Sequence, residues 1–282
     1  MRPLALVLRV ASLALALPAA GLLGGCAQPQ AKTALGYTED AKRAYDAAMQ
    51  EFNAHNWVDA QTLLREVKRK YSYSKWARQA ELRIADADFE QEKYSDAIHE
   101  YKEFIRAHRS DDEDIAYARS KIAEATYAQI PESFLMPAAE ERDQADVADA
   151  YKELRSYLSD YPNSKESAHM RDLLAQVTAR LVRHELYVAR FYLRDDNYEA
   201  AVARIQYALR NYSASLGGPG GLRTPESGLE AEALLLLGTT YLQMHKWADA
   251  RQAFAAIVTR YQASPLADQA REYLDFMHRK GV

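Results

Sequence analysis

One short residue pattern recurs along this chain and restricts what it can fold into. Its clearest copy, at residues 231–263, places Gly238, Tyr241, Ala250 and Phe254 at spacings typical of two packed helices. The small residues Gly238 and Ala250 allow two antiparallel helices to approach closely, while the large residues fill the seam between them. The pattern therefore predicts a helix-turn-helix unit.

The turn of this unit occurs four times in the same order: a polar residue, an aromatic residue, two spacers and an alanine. The copies lie at residues 56–60, 93–97, 197–201 and 246–250, with a weaker fifth copy around Val147, Ala150 and Leu154. Such repeats are typical of tetratricopeptide proteins, in which helix pairs stack because one pair cannot bury its own apolar face. The sequence predicts an all-α, right-handed tetratricopeptide superhelix of about five repeats with a C-terminal capping helix.

Composition argues against nucleic-acid binding and against chemistry in the folded part. The formal net charge is −4, so the chain has no basic footprint for nucleic acid. The seven histidines are scattered, and none stands in a His-Glu-x-x-His pattern. Residues 217–221 are glycine-rich but lack the Lys-Ser/Thr of a phosphate-binding loop. We expect no enzymatic activity, no cofactor and no metal.

The N-terminal region has the pattern of a secretory signal. Residues 4–23 are apolar apart from Arg9 and Ser12, and Leu23-Gly24-Gly25-Cys26 follows. This ending resembles the bacterial lipobox, in which the cysteine is acylated, and Cys26 is the only cysteine of the chain. We therefore predict a lipoprotein signal peptide at 1–25; a plain signal peptide that contains a cysteine is the alternative.

The remaining chain is divided by pattern into a tether and two halves. We predict a lipidated flexible tether at 26–37 and an N-terminal half, repeats 1–3, at 38–164, with Thr38 as the first N-cap. Repeats 4 and 5 and the cap follow at 165–282, with a glycine-rich insertion at 214–221. A second insertion, at 131–143, is interpreted either as a loop folded onto its own repeat or as a partner contact.

Several features, in this order, resemble the BamD family of outer-membrane assembly lipoproteins. They are the lipobox with its short tether, Asn56-Trp57 in the first repeat, the split third repeat that closes on Tyr161-Pro162-Asn163-Ser164, and the helix expected at 179–192. The resemblance implies a lipid-anchored scaffold in the outer membrane of a diderm bacterium, facing the periplasm. Alanine rather than aspartate after Cys26 agrees with outer-membrane sorting by resemblance to the rule of enteric bacteria.

The resemblance also implies partners. C-terminal repeats of that family dock on a periplasmic domain of the β-barrel insertase subunit, and N-terminal repeats receive unfolded outer-membrane proteins. A family arginine used in the insertase contact aligns with Arg204, for which a solvated helix-face position is the alternative. Other assembly lipoproteins are further possible partners.

A client-binding groove is expected on the first helices of repeats 1 and 2. Helical spacing places six side chains there, namely Tyr45, Met49, Phe52, Leu82, Asp86 and Phe89. The alternative is that these residues fill seams between repeats. The repeat pattern alone also suits another lipid-anchored adaptor, such as a pilus, secretin or polysaccharide-export assembly factor.

Overall fold

The structure, a computed structural model, describes residues 34–109, 112–132, 137–212 and 228–282. Several of the predicted features lie outside these ranges, namely the signal peptide 1–25, Cys26, residues 27–33 of the tether, residues 133–136 of the second insertion, and the glycine-rich insertion 214–221.

The described residues form eleven α-helices and no strand. The helices are α1 (Ala34–Asn53), α2 (Trp57–Lys70), α3 (Lys75–Glu90), α4 (Tyr94–Ala107), α5 (Asp112–Ala128), α6 (Ala145–Asp160), α7 (Ser167–Arg194), α8 (Tyr198–Tyr212), α9 (Leu229–Gln243), α10 (Trp247–Arg260) and α11 (Pro265–Lys280). They form five consecutive pairs, each with an A helix followed by a B helix, and α11 caps the last pair. The predicted all-α tetratricopeptide superhelix is confirmed.

The turns inside four of the helix pairs share one backbone conformation. Each contains one residue with left-handed backbone, namely His55, Glu92, Asp196 and His245 (φ 60°, 60°, 54° and 60°). The next residue donates its N–H to a carbonyl five residues earlier, at 2.9 Å in each case, for example Lys93 to Asp88. This is the Schellman geometry that satisfies helix C-terminal carbonyls, and it turns the chain directly into the B helix.

The turns after α2, α6 and α10 use a tyrosine and a serine three residues apart, namely Tyr71 and Ser74, Tyr161 and Ser164, and Tyr261 and Ser264. In the first and last of these turns, Ser74 and Ser264 donate their N–H to the carbonyls of Tyr71 and Tyr261 at 2.8 Å. The same serine hydroxyls then accept an N–H from the first turn of the next A helix, at 3.2 Å in both cases. Ser74 therefore ends the first repeat and caps α3, and Ser264 ends the last repeat and caps α11.

The seam of the last repeat is as close as its sequence predicts. A Cβ built on Gly238 would lie 2.5 Å from Cε1 of Phe254, nearer than real Cβ contacts. Phe254 is fully buried and stacks on Tyr273 of α11, with ring centroids 4.8 Å apart. Glycine at 238 is therefore what allows α9 and α10 to pack at this distance.

The A helices of neighbouring repeats lie side by side. Helix α1 contacts α3, α5 contacts α7, and α7 contacts α9. Helices α3 and α5 are joined by an ion pair between Arg78 Nε and Asp114 Oδ2, 3.0 Å apart. Close approach of the A helices places them on the inner side of the curved stack, which is the extended surface that such repeats offer to partners.

Helix α1 begins earlier than predicted. It starts at Ala34, so Thr38 lies within the helix and is not its N-cap. The first turns are held by packing: Tyr37 contacts the ring of Tyr71 edge-on, with centroids 5.4 Å apart. The last four residues of the segment expected as a tether are consequently helical.

Helix α7 is longer than the fourth-repeat helix expected at 179–192. It runs unbroken for 28 residues, from Ser167 to Arg194. Its first half lies beside α5, where Tyr127 donates a hydrogen bond to Gln176 at 2.8 Å. Its second half pairs with α8, so one helix serves both the third and the fourth repeat.

Candidate partner-binding surfaces

An aromatic patch lies between the first two A helices. The ring of Tyr45 is 5.3 Å from that of Trp76, between centroids. The ammonium groups of Lys75 and Lys42 lie 4.9 and 5.6 Å from the centre of the Trp76 ring. Burial raises the pKa of Tyr45, whose hydroxyl therefore stays protonated at neutral pH. Aromatic faces flanked by cations suit a polypeptide that carries both apolar and acidic groups.

A buried carboxylate joins this patch to the third repeat. Asp86 accepts hydrogen bonds from the hydroxyls of Tyr101 and Tyr117, at 2.5 and 3.0 Å, and pairs with Nη1 of Arg83 at 2.6 Å. Burial raises the pKa of Asp86, while the Arg83 guanidinium and the two hydroxyls oppose that shift. The carboxylate, the two hydroxyls and Nη1 of Arg83 are all paired, so the network fixes the seam between α3, α4 and α5.

Two of the six predicted groove residues are therefore not on the groove surface. Leu82 is 1% exposed and packs against Tyr101 and Phe104 in the seam. Asp86 is 5% exposed and lies beneath Arg83. The prediction was wrong for these two because an A helix has a neighbour on each side, and helical spacing does not separate a seam-facing side chain from one that faces outward.

The other four predicted groove residues are partly exposed. Tyr45, Met49 and Phe52 follow one another along one face of α1, and Phe89 lies near the end of α3. Phe52 contacts the Trp57 ring edge-on, and Phe89 lies under the ammonium group of Lys121, 4.5 Å from the ring centre. These four remain candidates for partner contact.

Trp76, Arg83 and Tyr117 belong to the same surface but were missed by sequence reasoning. The guanidinium carbon of Arg83 lies 5.3 Å from the centre of the Tyr117 ring, on the next A helix. The spacing of three between Arg83 and Asp86 is the sequence signal by which this paired cation could have been found.

Arg204 lies on α8 and is 45% exposed at its side chain. Its Nη1 is 3.3 Å from Oε2 of Glu185, whose side chain is only 10% exposed. Arg204 thus supplies the counter-charge of a mostly buried carboxylate on α7, and it still presents part of its guanidinium to solvent.

The described part of the insertion after α5 folds back onto the stack. Arg142 donates to the carbonyl of Pro131 at 2.7 Å, and a ring nitrogen of His184 lies 2.7 Å from the carbonyl oxygen of Glu140. A short 3-10 turn at Ala139–Glu141 contacts α7 directly. The described part of the insertion therefore contacts α7, the A helix of the fourth repeat, and both interpretations of the insertion stay predictions.

Two further findings concern the part of the chain that the structure describes. Within it, no three His, Cys, Asp or Glu side chains are grouped so that they could hold a metal ion. No helix within it has both the length and the apolarity needed to cross a bilayer.

Five stacked helix pairs with an aromatic and cationic inner surface define a repeat scaffold of the tetratricopeptide class. The comparison with family models identifies its family. The model described as "YfiO: Outer membrane lipoprotein" matches residues 38–224, and the chain belongs to this YfiO/BamD family. The predicted family resemblance is confirmed.

Its relatives carry the name outer membrane protein assembly factor BamD. The chain is 27% identical to the protein of Caulobacter vibrioides over 78% of this chain and 68% of the relative. It is 24% identical to that of Neisseria meningitidis serogroup A, over 81% of this chain and 82% of the relative. The Xylella fastidiosa protein is 23% identical, and the match spans 65% of its length.

Two of the solved structures that match are tetratricopeptide proteins. The complex entitled "TPR2AB-domain:pHSP90-complex of yeast Sti1" has a TM-score of 0.38 and 13% identity, covering 86% of this chain and 99% of that chain. A thermophilic tetratricopeptide protein of Thermus thermophilus has a TM-score of 0.32 and 14% identity, covering 83% and 98%. Neither superposes closely on the whole stack.

Proposed function

We propose that this chain is a lipid-anchored periplasmic scaffold of the β-barrel assembly machinery that helps to recruit and insert outer-membrane proteins. The observation that carries the proposal is membership of the YfiO/BamD family over residues 38–224, on a stack of five helix pairs. Such a stack acts by binding, and the proposal assigns it no enzymatic step.

The proposed anchor is a set of acyl chains on Cys26. Leucine three residues before this cysteine and glycines between them support acylation, and no other cysteine competes for the modification. Acyl chains contribute about 0.8 kcal/mol per buried CH₂, so several chains hold a protein at a bilayer without a spanning helix. The anchor would place the protein at the outer membrane, facing the periplasm.

The proposed client surface is the inner side of repeats 1–3. The aromatic patch of Tyr45 and Trp76, with Met49, Phe52 and Phe89 beside it, supports this assignment because unfolded outer-membrane proteins are rich in apolar side chains. Lys75 and Lys121 add positive charge at the rings of Trp76 and Phe89.

The proposed contact with the insertase subunit lies on the C-terminal half, where the partly exposed guanidinium of Arg204 supports it. Other assembly lipoproteins are further proposed partners.

Affinity capture tests the assignment directly. The full chain is tagged at its C-terminus, expressed in its own host, and captured from detergent-solubilised membranes, with a tagged unrelated lipoprotein as the control. We expect the β-barrel insertase subunit to be enriched over the control. The proposed function would be wrong if the insertase were absent and a secretin or a polysaccharide-export component were enriched instead. The protein would then belong to another class of assembly adaptor.

A further inference from the structure

A cavity of about 380 Å³ lies between the end of α5, the insertion that follows it and the middle of α7. Its apolar walls come from Ala128, Ile130, Ala139 and Val177. Three polar side chains of α7 line the opposite wall at spacings of four and three residues, namely Gln176, Arg180 and Arg183. These spacings place them on one face of the helix.

The positive charge of Arg180 is only partly compensated. The side chain of Arg180 is 12% exposed, and its buried Nε has no hydrogen-bond partner among the described residues. Its Nη1 is 3.2 Å from Oε1 of Glu132, a carboxylate whose side chain is 79% exposed at the rim. Burial lowers the pKa of Arg180, and the neighbouring guanidinium of Arg142 lowers it further, while Glu132, Tyr127 and Asp146 oppose that shift.

The other acidic group at the cavity does not pair with Arg180. Glu140 lines the wall formed by the insertion, and its backbone carbonyl is engaged by His184. Arg183, the second guanidinium of the lining, is exposed. The cavity therefore combines a mostly buried cation, a solvated and exchangeable counter-ion, and apolar walls.

We propose that this cavity binds a carboxylate of a partner polypeptide, with an adjacent apolar side chain against Ala128 and Ala139. The incoming carboxylate pairs with Arg180 and releases Glu132 to solvent. An arginine donates two parallel N–H groups to the two oxygens of a carboxylate, which fixes the orientation of the contact as well as providing charge complementarity. The carboxylate is supplied either by an acidic side chain or by a chain terminus.

Three peptides distinguish these sources when titrated calorimetrically into the full chain in detergent micelles. They are acetyl-Ala-Ala-Leu with a free carboxylate, the same peptide as its amide, and acetyl-Ala-Asp-Leu-amide. We expect at least one acidic peptide to bind about ten-fold or more tightly than the neutral amide, as for hydrogen bonds to charged groups. If only the first peptide binds, the carboxylate comes from a chain terminus. If only the third peptide binds, the carboxylate comes from an acidic side chain. Equal binding of all three, or of none, overturns the proposal.

Two variants then test the role of Arg180, and they are expected to change the affinity for the acidic peptide in opposite directions. Arg180→Gln is expected to weaken binding of the acidic peptide about ten-fold. Glu132→Gln removes the competing carboxylate from an exposed position, where folding is not at risk, and is expected to tighten binding. Arg171→Gln, an exposed position on the same helix and outside the cavity lining, is the control and should leave binding unchanged. Unchanged or weaker binding by Glu132→Gln would exclude the exchange of counter-ions.

The inference is independent of the assignment to the assembly machinery. Affinity capture reports which partner the protein has, whereas the peptides report which chemistry this cavity accepts. Failure of the peptides to bind therefore leaves the captured insertase as evidence for the proposed function.

Discussion

Four side chains hold a backbone conformation that L-amino acids disfavour. Histidine, glutamate and aspartate occupy the left-handed positions of the turns at His55, Glu92, Asp196 and His245, where glycine is the common residue. A left-handed backbone costs a residue with a Cβ roughly 1–2 kcal/mol. The Schellman hydrogen bonds and the docking of the following aromatic residue offset this cost.

Replacing one of these residues by glycine should therefore stabilise the protein. Glu92→Gly removes the strain, part of which is lost again to the greater freedom of glycine in the unfolded chain. We expect a gain of about 0.5–1 kcal/mol in the free energy of unfolding, measured by urea denaturation. Glu66→Gly, at an exposed position inside α2, is the matched control and should lose about 1 kcal/mol. A loss of stability in both variants would show that Glu92 is not strained.

A single methyl group should disturb the seam of the last repeat. In Gly238→Ala the new Cβ meets the buried ring of Phe254, which is fixed by Tyr273 and has little room to move. We expect a destabilisation of about 1–3 kcal/mol, seen as an earlier transition in thermal unfolding. Gly228→Ala is the control because nothing lies within 4 Å of its added Cβ. Identical melting of the two variants would refute the close contact.

At the scale of elements, α7 and α8 are joined by the pair of Glu185 and Arg204. Arg204→Glu is a poor test of the proposed insertase contact, because it places a second negative charge beside a mostly buried carboxylate. A cleaner test first removes the buried charge with Glu185→Gln and then adds Arg204→Gln.

We expect Glu185→Gln alone to retain capture of the insertase subunit and the double variant to reduce it by about ten-fold or more, as for loss of one partner of an interfacial charge pair. Circular dichroism should show the same helicity in both variants. Equal capture by both would mean that Arg204 serves only to neutralise Glu185.

Sequence reasoning succeeds for elements whose structure is determined by residues within the element itself. The order of polar residue, aromatic residue and alanine predicts the turns before Trp57, Tyr94, Tyr198 and Trp247 because each turn is built within a few residues. Sequence reasoning fails where a contact with a residue distant in sequence determines where a helix begins or whether a side chain is buried. The early start of α1 depends on contact between Tyr37 and Tyr71, and burial of Leu82 and Asp86 depends on residues of α4 and α5.

On the scale of the whole molecule, the proposed attachment to the membrane depends on one sulfur atom. Cys26→Ser removes the acylation site while leaving the helical repeats intact. We expect the variant to move from the membrane fraction to the soluble periplasmic fraction, because no acyl chains remain to partition into lipid. Immunoblots of both fractions and the mass of the mature N-terminus measure this. Full retention in membranes would exclude lipidation as the anchor.

The third and fourth repeats share one uninterrupted helix. Helix α7 is 28 residues long, or about 42 Å, with one end beside α5 and the other beside α8 and α9. A helix of this kind bends little, so the third and fourth repeats are kept at a constant separation and orientation. If the proposed function is correct, a client that passes from the early repeats to the insertase subunit would move along a support that does not flex at this junction.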